Sequence, residues 1–154
     1  MSTLIEMPPE GGWIYILMTS SDYTRVKIGM TINNPLLRLR DLKTGDPYLS
    51  LHVAYYIPSN LGLCLRNIEY LIHNHFNNIR IHFLDDEDQI NKPSEWFNMD
   101  YGYAESCVDD AFKLEGYKIT HGNWCMNQAV EKAVIKYYDH ELRYESCSFT
   151  LSLV

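Results

Sequence analysis

The chain has 154 residues with an ordinary apolar share of 46%, enough to bury a core in one domain without disulfide staples. Its 20 acidic residues outweigh 13 basic ones, for a formal charge of −7. This argues against a free-standing, tight binder of nucleic acid, because phosphate affinity comes from Lys and Arg displacing counterions. No basic-then-apolar leader opens the chain and no apolar run approaches a membrane span, so a soluble, cytoplasmic protein is expected.

Residues 1–11, with Pro8-Pro9 and Gly11, read as a loose leader. Residues 13–18 are aromatic, β-branched and apolar, the composition of a buried strand. Thr19-Ser20-Ser21-Asp22 is turn chemistry, and 25–30 is the return strand of a hairpin. Asn33-Asn34-Pro35 starts a helix, since Asn caps free N–H groups and Pro suits the first helical position. Leu36, Leu39 and Leu42 share one face of it, and Gly45 marks its stop. Residues 49–57 alternate as a third strand. Residues 60–76 carry an apolar stripe at helical spacing: Leu61, Leu65, Ile68, Leu71, Ile72 and Phe76. After Asn77-Asn78, residues 79–83 read as a short edge strand and 84–92 as an exposed acidic loop. Ser94-Glu95-Trp96-Phe97 returns to the core through its aromatics. Residues 103–114 and roughly 126–138 read as two further helices, and 149–154 as a last strand or docked tail.

The charge is unevenly spread. Arg25, Lys27, Arg38, Arg40 and Lys43 cluster early, whereas Asp85-Asp86-Glu87-Asp88 falls later. The cysteines, Cys64, Cys107, Cys125 and Cys147, form no CxxC pair and read as reduced thiols. Tyrosine occurs twelve times, which suits groove and interface surfaces through an apolar ring with a polar tip.

Cleaving a phosphodiester requires a water that loses its proton as it attacks phosphorus, with a metal ion and cationic side chains stabilising the negative charge that builds on the phosphoryl and leaving oxygens. The minimal kit is a base, a cation and one carboxylate for Mg²⁺, which keeps several waters and so accepts a single protein ligand. The chain offers these types. Tyr15 on the first strand and Lys27 on the second can point to one face of the hairpin. Arg38 lies on the following helix, with a planar fork that matches phosphate oxygens. Glu69 interrupts the stripe between Ile68 and Leu71, and a carboxylate so near a buried stripe needs a reason to be there. His73 follows one turn on. Thr31, Arg40 and Lys43 are the expected substrate contacts.

These pieces, in this order, resemble the GIY-YIG endonuclease superfamily. Trp13-Ile14-Tyr15 stands for the first motif, with Trp13 in place of glycine. Lys27-Ile28-Gly29 stands for the second, with Lys27 in place of tyrosine. The run 26–31, then Asn34-Pro35 and Arg38, is similar to the phage and bacterial branch in which lysine is usual. Glu69 with His73 and Phe76 matches that branch's metal-binding helix, and Glu95-Trp96-Phe97 its closing aromatic segment. The resemblance covers 12–100 and leaves 101–154 as a helical extension packed on the same domain.

The resemblance implies an α+β fold: a small three-stranded antiparallel sheet flanked by helices, with the site on one sheet face. It implies a DNA endonuclease that uses one Mg²⁺ or Mn²⁺, of the compact kind found in phage and mobile elements. Tyr15 would be the general base or a water-positioning phenol, Arg38 would stabilise the transition state, and Glu69 would bind the cation with His73 beside it. Lys27 would lower the pKa of Tyr15 or touch the phosphate. Many members use a late asparagine, for which Asn98 is the nearest candidate.

His73-Asn74-His75 is not an HNH site, because the two histidines face different directions on one helix. The acidic run lacks the alternating ligands and closing Glu of a calcium loop. Residues 101–154 show no zinc finger, helix-turn-helix or basic stripe. Their aromatics, Tyr137, Tyr138, Tyr144 and Phe149, would cover the core or form a homodimer surface. One rival reading, motivated by Lys27 and the acidity, is a catalytically inactive module of the same fold that binds nucleic acid or protein. A weaker rival, from charge alone, is an immunity or DNA-mimic protein.

Overall fold

The structure, a computed structural model, describes residues 11–58, 61, 65–84, 91–121 and 133–143. The expected leader up to residue 10, the acidic run Asp85 to Asp88, the first part of the helix expected from 126, and the tail at 149–154 lie outside the described residues.

The apolar alternation of the first segments produces a hairpin. Strand β1 (Gly12–Thr19) pairs antiparallel with β2 (Asp22–Thr31), placing Ile16 opposite Ile28 and Tyr15 opposite Gly29. Strand β3 (Leu49–Ile57) adds antiparallel to the other side of β1. Helix α1 (Pro35–Leu42) joins β2 to β3. Asn34 Oδ1 accepts from Leu36 N–H at 2.8 Å and Pro35 takes the first turn. Its C-cap is Lys43 in right-handed geometry, so Gly45 is not the left-handed cap that its position suggests.

The expected three strands are the centre of a larger sheet. Strands β4 (Arg80–Leu84), β5 (Asn91–Phe97), β6 (Lys118–His121) and β7 (Ala133–Tyr138) extend it to seven, in the order β4-β5-β2-β1-β3-β7-β6. All neighbours are antiparallel except β6 and β7. The helical extension is corrected accordingly. Residues 133–138 are a strand, because Ile135, Lys136, Tyr137 and Tyr138 pair with β3 and suit a pleated, half-buried surface. Only α3 (Tyr101–Leu114) and residues 139–143 are helical beyond residue 100 among the described residues. Asp100 caps α3 by accepting from Tyr103 N–H at 2.8 Å, and Gly116 closes it at φ 89°.

The sheet has a core on each face. Helix α2 (Leu65–His75) and α3 cover one, where Ile72, Phe76, Val108 and Phe112 meet Ile14, Ile16, Val26, Ile28 and Tyr55. Helix α1 covers the other, where Leu39 meets Tyr15, Leu17 and Leu51. Within the expected stripe of α2, the Leu71 side chain is exposed rather than packed on the sheet. No described helix is long and apolar enough to cross a membrane.

Two irregularities distinguish the β4 side of the sheet. An advance of two residues along β4, from Arg80 to His82, is matched by four along β5, from Phe97 to Pro93. Such a bulge re-aims side chains out of strict alternation, and Glu95 sits inside it. Strand β5 also pairs with β2 only at Val26 and Lys27. Beyond that point α2 takes over: His73 Nε2 donates to the Ile28 carbonyl at 2.8 Å.

Candidate active site

Tyr15 is buried on the α1 face of β1, directly across from Gly29. A Cβ on Gly29 would stand 2.5 Å from Tyr15 Oη and 2.9 Å from Glu95 Oε1. The missing side chain is therefore what lets the phenol and the carboxylate meet over β2. Arg38, exposed one turn into α1, hydrogen-bonds the Tyr15 hydroxyl. Burial raises the phenol's pKa above its ordinary value, more than the Arg38 hydrogen bond lowers it. Tyr15 is thus a neutral phenol at neutral pH.

Lys27 lies two residues from Gly29 on the same strand, and its ammonium donates to Glu95 Oε1 at 2.7 Å. The cation engaging the phenol is Arg38, not Lys27, and the phenol's pKa moves up rather than down. Both points correct the expectation that Lys27 lowers the pKa of Tyr15, and leave its other expected role, a phosphate contact, as it was.

Glu69 projects from α2, half-buried beside Ile68 and Ile72. Burial and then the negative field of Glu95 push its pKa up to about 7, against the pull of Lys27, Arg66 and Arg80. Its Oε2 is buried without a hydrogen-bond partner. The fields of Glu69 and Glu95 both reach Tyr15. Arg38 and the fields of Glu69 and Glu95 thus act on Tyr15, and Lys27 pairs with Glu95, which places these groups near one another around Gly29 of β2.

The structure places His73 beneath this pocket. Nε2–H donates to Ile28 O, and Nδ1 accepts from Arg80 at 3.3 Å. Burial, with the positive charge of Arg80, holds the imidazole below its ordinary pKa and so neutral. Neither ring nitrogen is offered to the pocket, so the expected catalytic His73 is a tie between α2 and β2. Thr31, Arg40 and Lys43 are not brought in either. Thr31 Oγ1 accepts from Asn33 N–H at 3.1 Å in the turn before α1. Arg40 is exposed beside Asp41, roughly 200° around the helix from Arg38, and Lys43 is exposed at the helix end.

Sequence reasoning missed Glu95 as a site residue, and with it Arg66 and Arg80. The only local signal was a carboxylate set between Ser94 and Trp96 in a segment otherwise bound for the core. Asn98 does not take its place. It lines a different cleft, with His75, Phe76, Asp100 and Tyr103.

The donor set fits a divalent cation. A buried acceptor without a donor, in the negative field of a second carboxylate, is an arrangement that positive charge relieves. No three His, Cys, Asp or Glu residues group together among the described residues. A cation here would take Glu69, with Glu95 the other carboxylate in reach, and complete its shell with water, as Mg²⁺ does.

Residues 12–112 match the model of the T5orf172 domain. The chain belongs to the T5orf172 domain family. That domain is found in phage and bacterial nuclease-like proteins. The matched span runs from the start of β1 to Phe112 in α3, so the T5orf172 domain holds every residue of the pocket. No curated protein and no solved structure matches the chain.

Proposed function

We propose that the chain is a metal-dependent DNA endonuclease of the GIY-YIG type, hydrolysing phosphodiester bonds with one divalent cation. The observation that carries the reading is Glu69: a buried, orphaned carboxylate raised to about 7 in the same pocket as a phenol bound to a guanidinium.

Each side chain has work that its geometry suits. Tyr15 keeps its proton, and Arg38 occupies one side of its oxygen, so the phenol orients the attacking water by hydrogen bonding. The Arg38 fork lies where charge grows on the phosphoryl oxygens. Lys27, neutralised by Glu95 in the free protein, exchanges that partner for phosphate when substrate enters. Glu69 would hold Mg²⁺ or Mn²⁺, which when bound adds positive charge on a phosphoryl oxygen and acidifies the attacking water. His73 and Arg80 hold α2 so that Glu69 faces the strand.

The test is cleavage of plasmid and single-stranded DNA by purified protein with Mg²⁺ or Mn²⁺. Wild type is expected to cut and Glu69→Ala is not. Equal, background-level products from both would end the enzymatic reading.

A second reading, a non-catalytic nucleic-acid-binding module, is favoured by one observation. Two groups that could take a proton from water are not free to do so: Tyr15 is neutral and Glu95 is paired with Lys27. Calorimetry separates the two readings. A lack of Glu69-dependent Mg²⁺ or Mn²⁺ binding, with DNA present, selects the module.

A further inference from the structure

Among the described residues two buried side-chain polar atoms find no partner. One is the Glu69 acceptor. The other is a donor, Nε of Arg25. Arg25 precedes Lys27 by two residues on β2, so both side chains leave the same face of the sheet. A cleft of about 310 Å³ opens there, its lining including Arg25, Lys27, Asp46 and Trp96 together with Leu42 and Leu49. The Arg25 guanidinium carbon stands 4.8 Å from the Trp96 ring centre. Stacking holds a guanidinium in place without neutralising it. The Asp46 carboxylate accepts from Tyr48 N–H at 3.0 Å and is held by its own turn.

Lys27 belongs to this cleft and to the catalytic pocket alike. Whatever fills the cleft therefore lies next to whatever is held at Tyr15 and Arg38. The volume sits at the lower end of ligand sites, about 300 to 1,000 Å³. It admits one nucleotide unit and is too small for a base-paired helix.

We propose that the Arg25–Trp96 cleft is a nucleotide subsite. It takes the unpaired nucleotide adjacent to the cleaved phosphodiester, with the terminal guanidinium nitrogens of Arg25 donating to that nucleotide's phosphate and its base and sugar lying against Trp96, Leu42 and Leu49. The substrate strand is accordingly single or locally opened at this point. The inference rests on the endonuclease reading for what the occupant adjoins, and its first test is binding measured without cleavage.

The full chain is titrated in EDTA with fluorescently labelled tetrathymidylate and with a duplex hairpin of similar charge. The tetranucleotide is expected to bind at least ten-fold more tightly than the hairpin. Arg25→Gln is expected to lose about ten-fold in affinity and to make the dependence of log K on log salt shallower by about 0.7, one single-strand phosphate contact. Arg25→Lys keeps the charge and loses the fork, so it is expected to retain the salt slope and lose about three-fold. The Trp96 indole N–H signal should shift on titration of wild type and stay still in Arg25→Gln. Equal affinity and equal salt slope for wild type and Arg25→Gln would overturn the proposal, as would an unmoved Trp96 signal at saturation. Arg25-dependent binding in a protein that cuts nothing sinks the endonuclease reading and upholds the subsite. Normal cutting by Arg25→Gln with unchanged KM sinks the subsite and upholds the reading.

Discussion

Two polar clusters lie on either side of the centre of the sheet, one around β1, β2 and β5 and one around β3 and β7, and they are built on different terms. Between α3, β3 and β7 the buried ammonium of Lys136 donates to Asp109 at 2.8 Å and pairs with Glu105. The Tyr55 hydroxyl donates to Asp109 at 2.6 Å, the Tyr138 hydroxyl to Glu105, and His52 Nε2–H to Glu105 at 2.7 Å. No buried side-chain polar atom of that group lacks a partner. Burial alone would raise the Glu105 pKa, yet the hydrogen bonds from Lys136, Tyr138 and His52 outweigh it and hold the carboxyl below its ordinary range. Glu69, on the other side of β2, moves the opposite way to about 7. One residue type shows opposite shifts, and the difference is the supply of donors. A cluster completed by the chain's own groups is architecture, whereas one left incomplete is shaped for a partner from outside.

Four measurements would break or sharpen that contrast. The largest effect is expected from Glu69→Ala and Arg38→Ala. Each should slow DNA cleavage by about 10³-fold or more while moving the melting temperature by no more than about 3 °C. A large loss of stability with proportionate activity would mean that the site is also architecture. Lys136→Met should do the reverse. It strands two carboxylates and should cost about 3 to 5 kcal/mol, a fall in melting temperature on the order of 10 °C, with the cleavage rate per folded molecule unchanged.

Third comes Gly29→Ala, whose Cβ would stand 2.5 Å from Tyr15 Oη. Displacing the phenol should reduce cleavage by about 10²-fold and stability by about 1 to 3 kcal/mol. Kinetics and melting on the same preparation would resolve the two parts.

The smallest effect is in pH. The folded pKa of Glu69 lies above the ordinary 4.5, at about 7, so ionising it opposes folding. Its contribution to stability is complete below about pH 4.5 and lost as pH rises through about 7. Glu105 has the opposite sign: its contribution is present above the ordinary carboxylate range and lost in acid. Metal-free melting curves from about pH 5 to 8 should show the first loss in wild type and not in Glu69→Gln. Mg²⁺ should restore a few degrees at the alkaline end only when Glu69 is present. Identical curves for the two proteins would remove the case for an orphaned carboxylate.

Much of this was legible in the chain because local pattern and global fold agree there. The strand at 49–57 alternates, Asn34-Pro35 caps, and α3 carries Ala104, Val108, Ala111 and Phe112 at helical spacing. Where the sequence misled, tertiary pairing decided. Residues 133–138 follow Glu131-Lys132 and look helical in isolation, yet they become a strand because β3 offers an open edge. Tyr15, Lys27 and Glu69 stood out because each is a charged or polar group on an otherwise apolar strand or stripe, and Arg38 because its fork follows the hairpin on the next helix. Glu95 escaped because it reaches the pocket through a bulge, which no periodicity announces. His73 looked like a reactive group because its two buried partners, the Ile28 carbonyl and Arg80, cannot be read from spacing.

Where β5 parts from β2 after Lys27, an imidazole from a helix occupies a carbonyl that a neighbouring strand would otherwise take. That bond joins the buried side chains of Ile72 and Phe76 in fixing α2 to the sheet. Glu69 rides on α2 and Tyr15 on β1, so the side chain at 73 helps set how the carboxylate stands to the phenol, and removing it would strand a buried carbonyl between them.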